Sequence, residues 1–268
     1  MGTIQDAIAK ARAAREDGAS AAQQATPVSL AKPSLWQDLP AFKPSIRRLR
    51  RNRIVAADSG RPAMDFDVIR TRMMQVMAAN GWKRVAITSP TAACGKSTMV
   101  LNLAFSLARH HEHKTMVVET DLRKPSLARS MQIPGEHQIS RVFEGRAPFE
   151  EHAVRVGENL IFATNANAVA GSAELLQSTG TVNTLNDLTA RYAPDMMIFD
   201  MPPMLTGDDT MAFINQVDCV LLLAAAEHST IKQIDICEQD VASQTNVMGI
   251  ILNKCRFVDP DNAYDYYE

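Results

Sequence analysis

The sequence has few of the features that mark secreted, membrane-spanning or nucleic-acid-binding proteins. Its four cysteines in 268 residues are scattered without paired spacing, which favours reduced thiols over a disulfide framework. The longest apolar run, CVLLLAAA at 219–226, is far shorter than the roughly 20 residues that cross a bilayer. The formal net charge is −2, so no general basic field favours nucleic acid as a partner. These absences predict a cytoplasmic globular protein.

Tyrosine is also scarce, and its distribution is uneven. The chain has four tyrosines, and three of them lie in its last five residues: Tyr264, Tyr266 and Tyr267. A packed core would normally take up aromatic side chains, whereas these stand among carboxylates at a chain end. We predict a short tyrosine-containing tail over 258–268. The tyrosines are either phosphoacceptors, part of a disordered end, or part of a strand added to a neighbour.

The first 62 residues differ in composition from the rest. An alanine-rich stretch is followed by proline-containing sequence without a sustained period, and then by the basic segment IRRLRRNR. We predict a flexible, disordered, basic extension over 1–62. The arginines between Arg47 and Arg53 either belong to a solvated linker or contact anionic lipid headgroups or an acidic partner.

From residue 63 to 257 the pattern is regular. Short apolar runs at 84–89, 115–120, 159–164, 196–200, 219–225 and 247–253 read as buried strands, and helical stretches such as 181–192 and 230–243 separate most of them. Buried strands that alternate with helices predict an α/β domain, with a mostly parallel sheet covered by helices on both faces.

The stretch ITSPTAACGKST at 87–98 predicts a phosphate-binding loop. A strand leads into a tight loop, and Gly95-Lys96-Ser97 then opens a helix. Backbone N–H groups at such a loop and the helix dipole favour a bound phosphate. In this pattern Lys96 reaches the β- and γ-phosphates and the Ser97 hydroxyl holds Mg²⁺. The first glycine of the usual pattern is replaced by Pro90.

Carboxylates at the ends of two predicted strands complete the pattern. VVETD places Glu119 and Asp121 at one strand end, and MMIFDMPP places Asp200 at another. Because parallel strands end at the same edge of a sheet, these side chains are expected in one crevice. Asp200 fits the residue that holds the Mg²⁺ shell, and Asp121 is expected to reach the metal or a nucleophile. The three elements together predict a P-loop NTPase.

The combination resembles the bacterial tyrosine kinases (BY-kinases) of capsular and exopolysaccharide biosynthesis, of the cytoplasmic type. The resemblance covers roughly Phe66 to the C-terminus, and rests on TSPTAACGKST, VVETDLRKPSL, AELLQS, MMIFDMPP, GIILNK and the tyrosine-bearing tail. It implies ATP and Mg²⁺ as cofactors and autophosphorylation of the C-terminal tyrosines in trans. It also implies control of polysaccharide polymerisation and export.

The resemblance assigns roles to individual residues. It implies catalytic roles for Lys96, Glu119, Asp121 and Asp200, with Glu119 at the position linked to hydroxyl activation. It implies metal contacts from Ser97, Asp121 and Asp200, and phosphoacceptors at Tyr264, Tyr266 and Tyr267. The implied nucleotide-binding residues are Ala93, Cys94, Gly95, Lys96, Ser97, Thr98 and Asn253.

The resemblance also implies partners. They are a transmembrane polysaccharide co-polymerase that activates the kinase at the inner membrane, and further copies of the chain. Members of the family usually have Asp where Glu119 stands, and of the family's oligomerisation signature only Arg70 is retained. Two alternatives stay open: a partitioning-type P-loop ATPase and a non-catalytic, nucleotide-binding regulator. The lysine typical of partitioning ATPases is replaced by Thr91.

Overall fold

The computed structural model describes residues 35–256 of the chain, and its central element is a seven-stranded sheet. The chain divides into two units, Met1–Ser34 and Leu35–Glu268, and all described residues belong to the second. The strands are β1 (Arg84–Thr88), β2 (Thr115–Glu119), β3 (Ala153–Val156), β4 (Leu160–Ala163), β5 (Met196–Asp200), β6 (Cys219–Ala225) and β7 (Asn246–Asn253). Their spatial order is β3-β4-β2-β5-β1-β6-β7. Among these described strands, β3 and β4 pair antiparallel, and the other five neighbouring pairs are parallel.

Helices connect the strands. The α-helices are α1 (Ile46–Arg51), α2 (Met64–Asn80), α3 (Lys96–Ala108), α4 (Leu127–Met131), α5 (Ile139–Phe143), α6 (Ser172–Gln177), α7 (Thr179–Tyr192), α8 (Asp209–Phe213) and α9 (Ile231–Ala242). Short 3₁₀ helices lie at Arg61–Ala63, Phe149–Glu151, Met204–Thr206 and Ile214–Gln216.

Two hydrophobic cores lie on opposite faces of the sheet. Along β1, Val85 and Ile87 belong to the core that contains α1 to α4, and Ala86 belongs to the core that contains α5 to α9. Successive side chains of a strand point to opposite faces, so strands buried on both faces must be apolar throughout. This explains the unbroken apolar runs and confirms the predicted fold class.

The strand register brings the predicted acidic residues to one edge of the sheet. Asp200, at the end of β5, pairs with Glu119 at the end of β2 and with Ile87 near the end of β1. The backbone N–H groups of Thr120 and Asp121 donate to the Asp200 carbonyl oxygen at 3.0 and 2.8 Å. The strand ends are therefore tied together beside the loop that follows β1.

Residues 35–62 differ from the flexible extension expected over that range. Trp36 is buried with its indole N–H on the Tyr192 carbonyl oxygen at 2.7 Å, and Leu49 of α1 is fully buried. The backbone N–H groups of Val55 and Ala56 donate to the side-chain oxygen of Asn102 in α3. The buried apolar residues here do not follow a helical or strand period, which is why the pattern suggested a linker.

Candidate nucleotide-binding site

Residues 89–95 form the loop between β1 and α3, and two of them have left-handed backbones. Gly95 has φ 99°, and a Cβ built there would lie 2.5 Å from the Asn253 side-chain nitrogen. Ala93 has φ 63°, a conformation that costs an alanine about 1 kcal/mol or more. Only glycine fits at position 95, whereas Ala93 adopts a strained conformation in a loop type that often carries another glycine.

The end of β7 holds this loop in place. The side-chain amide of Asn253 donates to the Cys94 carbonyl oxygen at 2.9 Å, and the Lys254 ammonium donates to the Ala93 carbonyl oxygen at 2.6 Å. The buried Cys94 thiol also bonds within the loop, to the Thr91 carbonyl oxygen at 3.3 Å. In the structure the Asn253 amide therefore braces the loop, and its implied contact with the nucleotide stays a prediction.

Lys96 is the first residue of α3 and is 7% exposed. Within residues 35–256 its ammonium makes no hydrogen bond or ion pair, although its charge opposes the rise in pKa that burial causes at Asp121 and Asp200. Ser97 and Thr98 follow it in the first turn and are half-buried. A buried cation without a close partner is costly, so this arrangement fits a site that an anion completes.

Asp200 is the most unusual group of the site. It is fully buried, and neither carboxylate oxygen has a hydrogen-bond partner among the described residues. Burial, and next the charge of Glu119, raise its pKa to about 8, while the nearby Ser97 hydroxyl and Lys96 oppose that rise. Buried polar atoms in folded proteins nearly always have partners. A carboxylate left in this state fits a site that a cation and its water shell complete.

Asp121 lies beside Asp200 and is more accessible. It is 9% exposed, and one oxygen accepts the Lys124 backbone N–H at 3.1 Å. Burial raises its pKa above the ordinary value. Within residues 35–256, no group of three or more His, Cys, Asp or Glu side chains could hold a metal alone. Mg²⁺ in phosphate sites usually takes one or two carboxylates, the phosphates and water, so the acidic set present fits it.

Glu119 is fully buried, and its carboxylate is already engaged. One oxygen accepts the backbone N–H groups of Ser126 and Leu127 at 2.5 and 2.8 Å, and the other accepts that of Asn165 at 2.9 Å. Burial nevertheless raises its pKa to about 7. These bonds fix the start of α4, so the geometry favours a positioning role. Its implied role in hydroxyl activation stays a prediction.

A second acidic cluster near Asp121 was not predicted from the sequence. Asp209, at the start of α8, is 1% exposed, and its charge adds to the rise in the pKa of Asp121 that burial causes. It accepts a short hydrogen bond from the Ser172 hydroxyl, and its other oxygen lies 2.5 Å from Nε of Arg123. The doublet Asp208-Asp209 shortly after the proline pair is the sequence signal that could have identified it.

The three tail tyrosines predicted as phosphoacceptors, Tyr264, Tyr266 and Tyr267, lie outside the described residues. Arg70, the residue that matches the oligomerisation signature, is directed inward: its side chain is 14% exposed and donates to Asp67 and to the Ser106 hydroxyl. Self-association stays a prediction that does not rest on Arg70.

A family model described as ParA, NUBPL iron-transfer P-loop NTPase, matches residues 82–267. The chain belongs to this family. It is 28% identical over 205 residues to the putative tyrosine-protein kinase CapB of Staphylococcus aureus, covering 75% of this chain and 88% of that relative. It is 26% identical over 223 residues to the tyrosine-protein kinase YwqD of Bacillus subtilis (strain 168), covering 82% and 92%.

The fold is also found in a solved structure. The crystal structure of the chimerical protein CapA2B2 matches with a TM-score of 0.69 and 22% identity, covering 81% of this chain and 92% of that one. The predicted resemblance to bacterial tyrosine kinases is confirmed, as is the predicted class of enzyme. Use of a nucleotide with magnesium is supported in general terms. Among the described residues no helix is both long and apolar enough to span a bilayer.

Proposed function

We propose that the chain is an ATP- and Mg²⁺-dependent tyrosine autokinase that phosphorylates Tyr264, Tyr266 and Tyr267 of a second copy. Through this cycle it would regulate capsular or exopolysaccharide polymerisation and export. The observation that carries the proposal is the buried Asp200 carboxylate, unpartnered among the described residues, beside Lys96 at the P-loop. We propose tyrosine as the group that accepts the phosphate because the relatives are named as tyrosine-protein kinases.

Nucleotide binding follows from the loop and the first turn of α3. The backbone N–H groups of residues 93–98 would bind the phosphates, and Lys96 would neutralise the transferred group. Because Lys96 is already desolvated, its attraction to phosphate is stronger than that of a surface lysine. The brace from β7 keeps the loop in position before the nucleotide arrives.

The metal would be held by Ser97, Asp121 and Asp200. When bound, Mg²⁺ neutralises phosphate charge and orients the terminal phosphate for transfer. Asp200 contributes a buried carboxylate whose alignment is fixed by the β2 and β5 strand ends. A preorganised group of this kind needs no rearrangement during the reaction.

The transfer needs a group that accepts the proton of the phenol. The tyrosine oxygen forms a bond to the γ-phosphorus, the bond between that phosphorus and the β,γ-bridging oxygen breaks, and ADP leaves. A phenol with a pKa near 10 is protonated at neutral pH, so a nearby carboxylate assists. Asp121 is the more accessible of the two candidates, because Glu119 is fully buried and bonded to three backbone N–H groups. An Asp121 oxygen that is not bound to the metal would accept the proton.

The test uses purified full-length chain, γ-labelled ATP and Mg²⁺. Wild type is compared with Lys96→Met, with a chain ending at Asn262, and with the control Lys232→Met on the exposed face of α9. We expect label on the wild type and the control. Label on Lys96→Met should fall at least about 100-fold, because a preorganised charge contact to the transferred group is lost. Label retained by the shortened chain would refute the tail assignment.

The family match supports a second candidate, a partitioning-type ATPase. It predicts rapid phosphate release without labelled protein, in the same assay. Nucleotide binding without release or labelling would instead favour the non-catalytic regulator, once the cytoplasmic segment of the activating partner has been added. Thr91, at the position of the lysine typical of partitioning ATPases, favours the kinase.

The proposed kinase would act at the inner face of the membrane through a partner. We propose that this partner is a transmembrane polysaccharide co-polymerase, because the resemblance implies a separate activator. The contact predicted between Arg47–Arg53 and lipid headgroups stays a prediction. Co-sedimentation of the chain with the partner's cytoplasmic segment, with and without ATP, tests this assignment.

A further inference from the structure

A cluster of arginines lines a groove away from the nucleotide site. Arg47, Arg48 and Arg51 of α1 face Arg129 of α4 across it, and the remaining lining residues are the uncharged Ser45, Asn52, Ser130 and Gln132. We call this the arginine groove. All four arginines are exposed.

The four guanidinium groups have no carboxylate partner within residues 35–256, whereas the other arginine of α1 has one. Arg50 forms an ion pair with Asp58 at 2.9 Å and is not part of the groove. No acidic side chain of the described residues lines the groove. The groove therefore concentrates positive charge that the described part of the chain does not neutralise, which favours an anionic ligand.

The groove is built on a fixed framework. Leu49 anchors α1 in the core with full burial, and the side-chain amide of Asn52 donates to the Ser130 carbonyl oxygen at 2.6 Å. Glu119 holds the start of α4 through two backbone N–H groups. The two arginine-bearing helices are therefore tied to each other and to the sheet, and a ligand does not have to order them first.

We propose that the arginine groove binds the C-terminal tail, residues 257–268, once its tyrosines are phosphorylated. This rests on the proposed kinase function. The tail, FVDPDNAYDYYE, contains no lysine or arginine and has carboxylates at Asp259, Asp261, Asp265 and Glu268. Each phosphate adds about −1.5 to −2 charges and three acceptor oxygens. Planar guanidinium groups bind such phosphates through paired hydrogen bonds.

The dimensions agree with this ligand. The cavity volume is about 900 Å³, at the upper end of the range for ligand pockets, which suits several residues of an extended chain. Twelve extended residues span about 40 Å, which is long enough to cross a cavity of this size. A lipid surface is flat and would meet a convex basic face. Here the arginines of two helices face each other across a concave surface.

The test is fluorescence anisotropy with a labelled synthetic peptide of residues 257–268, unphosphorylated or phosphorylated on all three tyrosines. Every protein is full length and carries Lys96→Met, so that its own tail stays unphosphorylated. The groove variant is Arg48→Gln with Arg129→Gln. The matched control is Arg50→Gln, which removes the same type of charge from α1 outside the groove.

We expect the phosphorylated peptide to bind at least about tenfold more tightly than the unphosphorylated one, and the groove variant to lose at least about tenfold of that affinity. The control should change affinity less than about twofold. Equal binding of the two peptides, no measurable binding, or equal losses in groove variant and control would each overturn the proposal.

A second arm separates the tail from lipid as the occupant. The same proteins are sedimented with vesicles of phosphatidylserine and phosphatidylcholine. Vesicle binding that depends on the groove arginines, without groove-dependent peptide binding, would assign the groove to the membrane and overturn the proposal. Because the peptide is phosphorylated chemically, its binding is measured independently of whether the chain is a kinase. A failed labelling assay and a failed binding assay are therefore distinguishable.

Discussion

Replacing Asp200 with asparagine removes a buried negative charge. The variant therefore separates the effect of that charge on folding stability from its contribution to binding Mg²⁺ and nucleotide. The asparagine side chain has nearly the same shape without the charge. In the ligand-free protein the carboxylate is fully buried, and burial raises its pKa from 3.8 to about 8. Over that interval the folded state binds a proton that the unfolded state has released. The contribution of Asp200 to wild-type stability therefore falls as the pH rises from about 4 to 8, and the fall ends above about pH 8.

The size of the effect follows from the same values. One pKa unit corresponds to about 1.4 kcal/mol, so the three pH units between 5 and 8 give at most about 4 kcal/mol. Glu119 also has a raised pKa, of about 7, and it titrates in the variant as well as in wild type. Part of the pH dependence of stability is therefore common to both proteins, and the difference between them is smaller than this maximum. We expect the free energy of unfolding of Asp200→Asn, relative to that of wild type, to increase by about 2–4 kcal/mol from pH 5 to pH 8.

Urea unfolding in the presence of a chelator, at pH 5 and pH 8, measures this difference. Exposed Asp235→Asn is the control and should follow the wild type. Added Mg²⁺ and nucleotide should shift the comparison in favour of wild type, because ligand at 100 times its dissociation constant stabilises wild type by about 2.7 kcal/mol and the variant little. If the stability of wild type and of Asp200→Asn changed identically with pH, the inference that Asp200 is a buried carboxylate that a cation completes would be refuted.

Three further changes test the structure around the site. Glu119→Ala leaves two buried N–H groups and the half-buried one of Ser126 without an acceptor, and should lower the free energy of unfolding by at least about 2 kcal/mol in urea titrations. Little change there would restore Glu119 as a catalytic candidate. Ala93→Gly relieves the left-handed strain and should raise the free energy of unfolding by about 0.5–1 kcal/mol; a loss of that size would contradict the assigned backbone. Leu49→Ala should cost about 2–5 kcal/mol and Ile46→Ala, at a position that is 41% exposed, much less; equal small effects would show that α1 is not packed.

The sequence was sufficient where a local pattern determines the structure. Strand β1, the loop and α3 are contiguous, and the ends of β2 and β5 carry their acidic residues within each apolar run. Parallel strands end at a common edge of the sheet, so the proximity of Asp121 and Asp200 could be predicted from the sequence alone. The predicted helices at 181–192 and 230–243 correspond to α7 and α9 for the same reason.

Prediction from sequence was limited where residues distant in the chain determine each other's role. Nothing near Glu119 shows that the N–H groups of α4 and Asn165 converge on its carboxylate. Similarly, Arg129 lies far along the chain from the basic segment that it faces across the arginine groove. Trp36 packs under Tyr192, 156 positions away. These contacts join segments that are far apart in the sequence and meet only in the folded chain, so no short motif predicts them.

The phosphate-binding loop has alanine where loops of this type often have glycine, and side chains at the end of β7 hold it in the required conformation. A loop of this type normally relies on glycine to reach left-handed conformations, whereas here Ala93 adopts one while Lys254 binds its carbonyl oxygen. Asn253 occupies the space that a side chain at position 95 would need. The loop geometry is thus enforced by side chains from the end of the last described strand. We expect Lys254→Met, which removes the contact to the Ala93 carbonyl oxygen, to weaken nucleotide binding, because the loop is then less well held before the nucleotide arrives. Unchanged nucleotide affinity in calorimetry would show that the loop keeps its geometry without this contact.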